Sequence, residues 1–357
     1  MIARILSRDP PRSAILALLL AVLIVALLVA PFLFPGARAL NTAAKILVFV
    51  LLVASYDLML GYTGIVSFAH TMFFGIGAYG IAIASTRIGP GWSALAVGTL
   101  AAIALSAALA TVIGLFSLRV RAVFFAMITL AVATAFSTLA SQLSEFTGGE
   151  DGLSFRMPNV LQPGFRLFAE PLLGVQINGR ILTYYGLVAV VAVAFLILLR
   201  IVNSPFGRVL QAIRENPSRA EAIGYRTVIY RTMASVLGAV FATLAGVLMA
   251  VWLRYNGPDT TLSLEIMVDI LLICVIGGMG TLYGAIVGSA LFMVAQTYLQ
   301  DVMEVAAKAT SDIPLLSAIV HPDRWLLWLG ILFVLSVYYF PQGIVGSLRA
   351  RTRARQR

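Results

Sequence analysis

The sequence predicts an all-α, polytopic membrane protein of about ten transmembrane helices, one domain over residues 1–357, with both termini cytoplasmic. Three observations carry that prediction. The chain is 61% hydrophobic and 11% charged, whereas soluble domains run about 45–50% apolar and roughly 25% charged. It lacks the polar residues to build a water-facing surface, so it must sit in lipid. Its apolar residues fall into runs near the length of roughly 20 residues that a helix needs to cross a bilayer. Its arginines gather on alternate connections, which orients the spans by the excess of positive charge on the cytoplasmic side.

Taken in order, the runs lie at about 14–34, 41–60, 65–86, 92–117, 121–140, 183–202, 232–252, 264–277, 283–300 and 324–340. Ala37-Arg38-Ala39, after the first, resembles a signal cleavage site. The apolar stretch before it is long for a signal peptide, and Pro31 and Pro35 fit a helix end better. The eighth run is short and gives out at the glycines of 277–280. With the N-terminus inside, the cytoplasmic segments hold Arg4, Arg8 and Arg12, then Arg119 and Arg121, then Arg200, Arg208, Arg214, Arg219, Arg226 and Arg231, then Arg349, Arg351, Arg353, Arg355 and Arg357. These are most of the 25 basic residues. Because they sit at the ends of apolar runs, the net charge of +10 reads as topology, not nucleic-acid binding.

Other chemistries are excluded by what the chain lacks. Lys45 and Lys308 are the only lysines and neither follows a glycine, so there is no phosphate-binding G-x-x-x-x-G-K-[ST] loop. Cys274 is alone, so no disulfide framework exists. No catalytic set, metal site or cofactor is predicted within this chain.

Two long extracytoplasmic segments are expected, 141–182 and 301–323. The first holds Thr147-Gly148-Gly149-Glu150-Asp151-Gly152-Leu153, a turn-rich cluster. Each either covers the outer mouth, receives a partner, or is a solvated loop.

Glycine interrupts the apolar pattern twice, at Gly61-Tyr62-Thr63-Gly64 through Ser67 and His70, and at Gly277-Gly278-Met279-Gly280. Unwound backbone at membrane depth is tolerated only where it lines protein or water, and paired interruptions often mark a transport path. Gly61, Gly64, Ser67, His70, Gly277, Gly278 and Gly280 are therefore the candidate pathway residues. Gly77, Gly80 and Ala84 share a face and read as helix packing. Ser67 and His70, i and i+3, suggest an intramembrane hydrolase, but no third orienting group is evident. Asp57, Glu265 and Asp269 lie in or near spans, where a charge is costly and marks a functional candidate. They support an alternative reading, an ion-coupled secondary transporter. Glu265 and Asp269 fit solvated capping as well as ligand contact.

Residues 203–231 are too structured to be a plain connector. Ser204-Pro205-Phe206-Gly207 is a turn, and Val209, Leu210 and Ile213 give helical apolar spacing. Asn216-Pro217 is an N-cap with a first-turn proline, and Gly224 a left-handed stop, which predicts a two-turn helix over about 217–223. So short a helix is unstable alone in water and needs a scaffold or partner. Its small apolar face and mixed charge weaken the alternative that it lies on lipid.

Five motifs, GYTGIVSFAHTMFFGIGAY (61–79), TGGEDGL (147–153), SPFGRVLQAIRENPSRAEAIGY (204–225), GGMGTLYGAIVG (277–288) and FPQGIVG (340–346), run through most of the chain. Together they resemble the LivM-type permeases of branched-chain amino acid ABC transporters. The resemblance implies a bacterial inner-membrane importer in which this chain is one half of the pathway. It implies a second permease subunit, two ATPase subunits on the cytoplasmic side and a periplasmic substrate-binding protein. It makes 203–231 the coupling loop, with Arg214, Glu215, Asn216, Arg219, Glu221, Ala222 and Gly224 docking on the ATPase, and makes 141–182 a periplasmic segment. Related permeases carry urea or other amides, so the substrate is a branched-chain amino acid or a related small amino acid or amide.

Overall fold

The computed structural model describes residues 13–33, 36–117, 122–167, 176–309 and 321–355. Arg4, Arg8, Arg12, Arg119, Arg121, Arg357 and residues 310–320 of the second long segment lie outside the described residues.

Helix α1 (Ala14–Leu33) lies along the bundle with Leu16 and Leu20 buried. Pro31 stands in its last turns. A proline has no N–H for the carbonyl four residues back, and Leu27 O accepts instead from Tyr184 Oη at 2.6 Å. Helix α2 (Ala37–Thr63) is the central post. It is apolar all round and nearly all of it is buried, as expected of a helix surrounded by protein. Gly64, at φ +73°, closes it, its N–H bonding Leu60 O.

Helix α3 (His70–Arg87) is also buried, against α4 (Trp92–Ser117) and the later helix Thr227–Leu253. Helix α5 (Ala122–Gln142) follows. A short turn of helix, α6 (Ser144–Thr147), leads into strand β1 (Leu153–Ser154). Helix α7 (Gly179–Val202) and the paired short helices α8 (Pro205–Glu215) and α9 (Pro217–Ala222) come next. Helix α10 (Thr227–Leu253) packs on α2, α3 and α4. Strand β2 (Tyr255–Asn256) pairs antiparallel with β1, Leu153 opposite Asn256. The chain ends with α11 (Pro258–Thr261), α12 (Leu264–Gly277), α13 (Leu282–Ala309), α14 (Trp325–Tyr339) and α15 (Gly343–Arg355).

Nine helical stretches among the described residues are long and apolar enough to cross a membrane. The expected run 65–86 is the exception, because its helix, α3, is the short stretch His70–Arg87 with a histidine at one end and an arginine at the other. As α3 it touches protein on nearly every side, so it retains His70, Thr71 and Ser85 where a lipid-facing helix would carry aliphatics.

The bundle has two distinguishable ends. At one, Asn41 Oδ1 accepts from Arg180 at 2.7 Å and from Trp252 Nε1 at 3.1 Å, joining the starts of α2 and α7 to the end of α10. The described part of 141–182 folds over this end: Phe155 and Met157 are buried against Ala78, Ile81, Val247 and Ala250. It is a packed cover, not a free loop. The other end carries α8 and α9 and is called here the basic end.

Candidate functional site at the basic end

Four of the five motifs meet at the basic end. The first contributes the close of α2 and the loop 64–69. The third contributes α8 and α9. The fourth is the break between α12 and α13, where Gly278 and Gly280 take φ of +114° and +79°. The fifth is the turn before α15, with Gly343 at φ +71°. These three glycines adopt backbone conformations that L side chains rarely enter. A Cβ on Gly343 would strike Gly278, so the two glycine turns lie directly against each other.

Helix α8 begins as its residues dictate. Ser204 Oγ accepts from Gly207 N, and Pro205 takes the first helical position. Leu210 and Ile213 are fully buried beneath it. Asn216 then caps α9, its side chain accepting from Arg219 N at 3.0 Å. Ala220 alone anchors α9, and Gly224 at φ +101° ends the turn with Tyr225 N on Ala220 O at 3.1 Å. The expected helix over about 217–223 is thus present as Pro217–Ala222.

The tip of this hairpin faces outward. Glu215, Asn216, Arg219, Glu221, Ala222 and Gly224 are all exposed, as is Ile223 at 71%. A single exposed aliphatic is ordinary at a protein surface and carries nothing by itself. Glu221 also has an inward role, since its Oε1 accepts from Thr227 Oγ1 at 2.5 Å and holds α9 to the start of α10.

Arg214 is exposed along with the tip residues, but its guanidinium turns to the bundle. Its Nη1 donates to Gly61 O, the last-turn carbonyl of α2. A Cβ at Gly280 would lie 3.0 Å from the same nitrogen, and one at Gly64 3.3 Å from the Arg214 stem. One turn before Gly61, Asp57 is buried, and its Oδ1 accepts from Gly280 N at 2.7 Å and from the Cys274 thiol at 3.4 Å. Arg214, Gly61, Asp57 and Gly280 therefore form one connected node that ties α8 to both glycine breaks.

The remaining candidates are placed as follows. Gly277 packs against Gly284 across the break. Ser67 and His70 do not bond each other: Ser67 Oγ accepts from Ala69 N at 3.3 Å, while His70 Nε2 pairs with Ser55 Oγ at 2.8 Å. The expected Ser67–His70 pair is therefore not formed, and Ser55, which His70 does meet, donates its own proton to Leu52 O at 2.7 Å. Asp269 lies apart from the node, bonded to Gln296 Nε2 at 3.4 Å, and with the exposed Glu265 it borders an apolar groove between α12, α13 and α14. Among the described residues no group of His, Cys, Asp and Glu could hold a metal ion.

Residues 38–337 match the family model described as the permease component of the branched-chain amino acid transport system. The chain belongs to this family. It is 24% identical over 330 residues to the high-affinity branched-chain amino acid transport system permease protein LivM of Salmonella typhimurium, covering 88% of this chain and 72% of that protein. Against LivM of Escherichia coli it is 24% identical over 327 residues, 88% of this chain and 71% of the other. With the permease protein BraD of Pseudomonas aeruginosa it shares 26% over 266 residues, 71% of this chain and 82% of that one. No solved structure matches the chain. This permease is a multi-pass membrane protein, and its hairpin, with all of the node but Asp57, is built from the motifs that carried the resemblance.

Proposed function

We propose that this chain is the permease subunit of an ATP-binding-cassette importer that carries branched-chain amino acids, or a related small amino acid or amide, across a bacterial inner membrane. In this reading a second permease completes the pathway, two ATPase subunits bind the α8–α9 hairpin from the cytoplasm, and a periplasmic binding protein delivers substrate at the end covered by 141–182. The observation that carries it is the two-sided hairpin: an outward tip of Glu215, Arg219, Ala222 and Ile223, and an inward Arg214 that reaches both glycine breaks. A hairpin built this way passes motion from a soluble partner to the membrane helices. The absence of a phosphate-binding loop fits, since energy must then come from another chain.

The test is uptake by the complete transporter in proteoliposomes. Ile223→Asp places a charge in the docking surface and is expected to lower ATP-driven uptake at least about ten-fold, the effect of roughly 1.4 kcal/mol of lost binding. Normal uptake in that variant would remove the docking role. Uptake driven by an ion gradient without ATP would instead favour a secondary transporter using Asp57 or Asp269. Glu221→Arg is a poorer probe, because it also breaks the bond to Thr227.

A further inference from the structure

Above the node, one turn of α2 and the first residue of α3 carry an unusual load. Tyr56 Oη, Asp57 Oδ2 and His70 Nδ1 are all sealed from solvent without a well-formed hydrogen bond. Backbone groups of Ser67, Thr281 and Leu52 give the three side chains only looser hydrogen bonds. The three residues are one cluster. The Tyr56 and His70 rings meet edge to face at 5.1 Å, and the Cys274 thiol lies against Asp57. They line the seam where α3 and α12 pack on α2. Buried polar atoms in native structures are almost always paired, and those that are not call for a specific explanation. Three in one layer are poor packing for a permanently dry seam. They are suitable packing for a seam that is wetted in another state of the protein.

The lower edge of the same seam is built to move. It ends at Gly64, Gly278 and Gly280, all with positive φ. Two polar contacts, Arg214 to Gly61 O and Gly280 N to Asp57, close it. One of them comes from the hairpin.

We propose that the α2–α3–α12 seam is the gate of the permeation path at the basic end, latched shut here by Arg214 and Asp57, and that displacement of the hairpin opens it so that Tyr56, Asp57 and His70 meet water. This rests on the docking reading above. Arg214 is a positioning residue in it, acting on the gate through Gly61 and the Gly280 turn.

Cys274 is a built-in reporter, being the chain's single cysteine, 3% exposed and inside the seam. The assembled transporter in proteoliposomes is treated with N-ethylmaleimide, and modification of the Cys274 peptide is followed by mass spectrometry. Modification is expected to be slow without nucleotide and at least about ten-fold faster during ATP turnover, matching a roughly ten-fold shift in open population. Arg214→Gln should give the fast rate without nucleotide, and Arg214→Lys, which keeps a donor and the charge, should restore the slow one. An unchanged rate in Arg214→Gln, with ATP-driven uptake intact in the unmodified protein, overturns the latch while leaving the docking reading standing. If Arg214→Gln does not assemble, the native comparison decides: no acceleration of Cys274 modification during turnover overturns the gate. ATP-independent uptake by the native protein, with a fast Arg214→Gln rate, would instead retain the latch and overturn the docking reading.

Discussion

Pro31 and Tyr184 illustrate what a single residue settles in this protein. The proline removes the donor for Leu27 O, and in a bilayer no water is at hand to replace it. The Tyr184 hydroxyl does so from α7, and Tyr185 Oη bonds Leu28 O at 2.9 Å beside it. Tyr184→Phe keeps the ring and deletes the donor. Interhelical hydrogen bonds in membranes contribute about 0.6 kcal/mol on average and up to about 1.7, and this one should fall at the upper end because its acceptor has no second choice. A lowered thermal midpoint in detergent is the expected result, and a midpoint equal to the parent's would show that Leu27 O is satisfied some other way. The sequence displayed Pro31 as a helix end, but nothing in it displayed a partner 157 residues away. The node has the same character. Asp57 and Gly61 stand i and i+4, so one could read that they share a face. That Gly280 and Arg214 complete the set depends on how α8 and α12 return to that face.

At the scale of elements, the α8–α9 hairpin was the most legible part of the chain. Its caps, prolines and stop glycine are local signals that do not depend on the rest of the fold. What those signals could not give was direction. Arg214 and Arg219 look alike in sequence, yet one reaches into the bundle and the other faces outward. Helical register supplies the difference, because Arg214 follows the buried Leu210 and Ile213 and Arg219 is on the separate turn begun by Asn216. The cap also gives a measurable quantity. Replacing an Asn N-cap by Ala costs about 1 kcal/mol of helix stability. In Asn216→Ala the amides of 218–222 should exchange with deuterium roughly five times faster, the factor that corresponds to that energy. Exchange unchanged across α9 would mean that the Glu221–Thr227 bond and the single anchor Ala220 hold the turn without its cap.

For the molecule as a whole, the membrane is what made the architecture readable. Lipid requires continuous apolar runs, so the spans facing it declare themselves. Burial by protein relaxes that requirement, and α3, enclosed on nearly every side, is the expected span that does not declare itself by length and apolarity. Where lipid no longer drives association, close approach of backbones takes over, and small residues permit it. The α3–α10 contact shows this directly. A Cβ on Gly77 would collide with Thr243 O, and one on Gly246 with Phe74 O, so each helix needs the other's glycine. Gly246→Val should therefore fail as overpacking against backbone, which cannot swing aside as a side chain would, at the upper end of the roughly 1–3 kcal/mol typical of overpacked cores or beyond it. Gly186→Val on α7 is the matched control, since a Cβ there meets nothing within 4 Å. Thermal melts of both variants in one detergent separate the accounts. The expected outcome is a strongly lowered or absent transition for Gly246→Val and a parent-like one for Gly186→Val. Equal melting of the two would show that α3 and α10 can part at little expense and that the glycines set only their spacing.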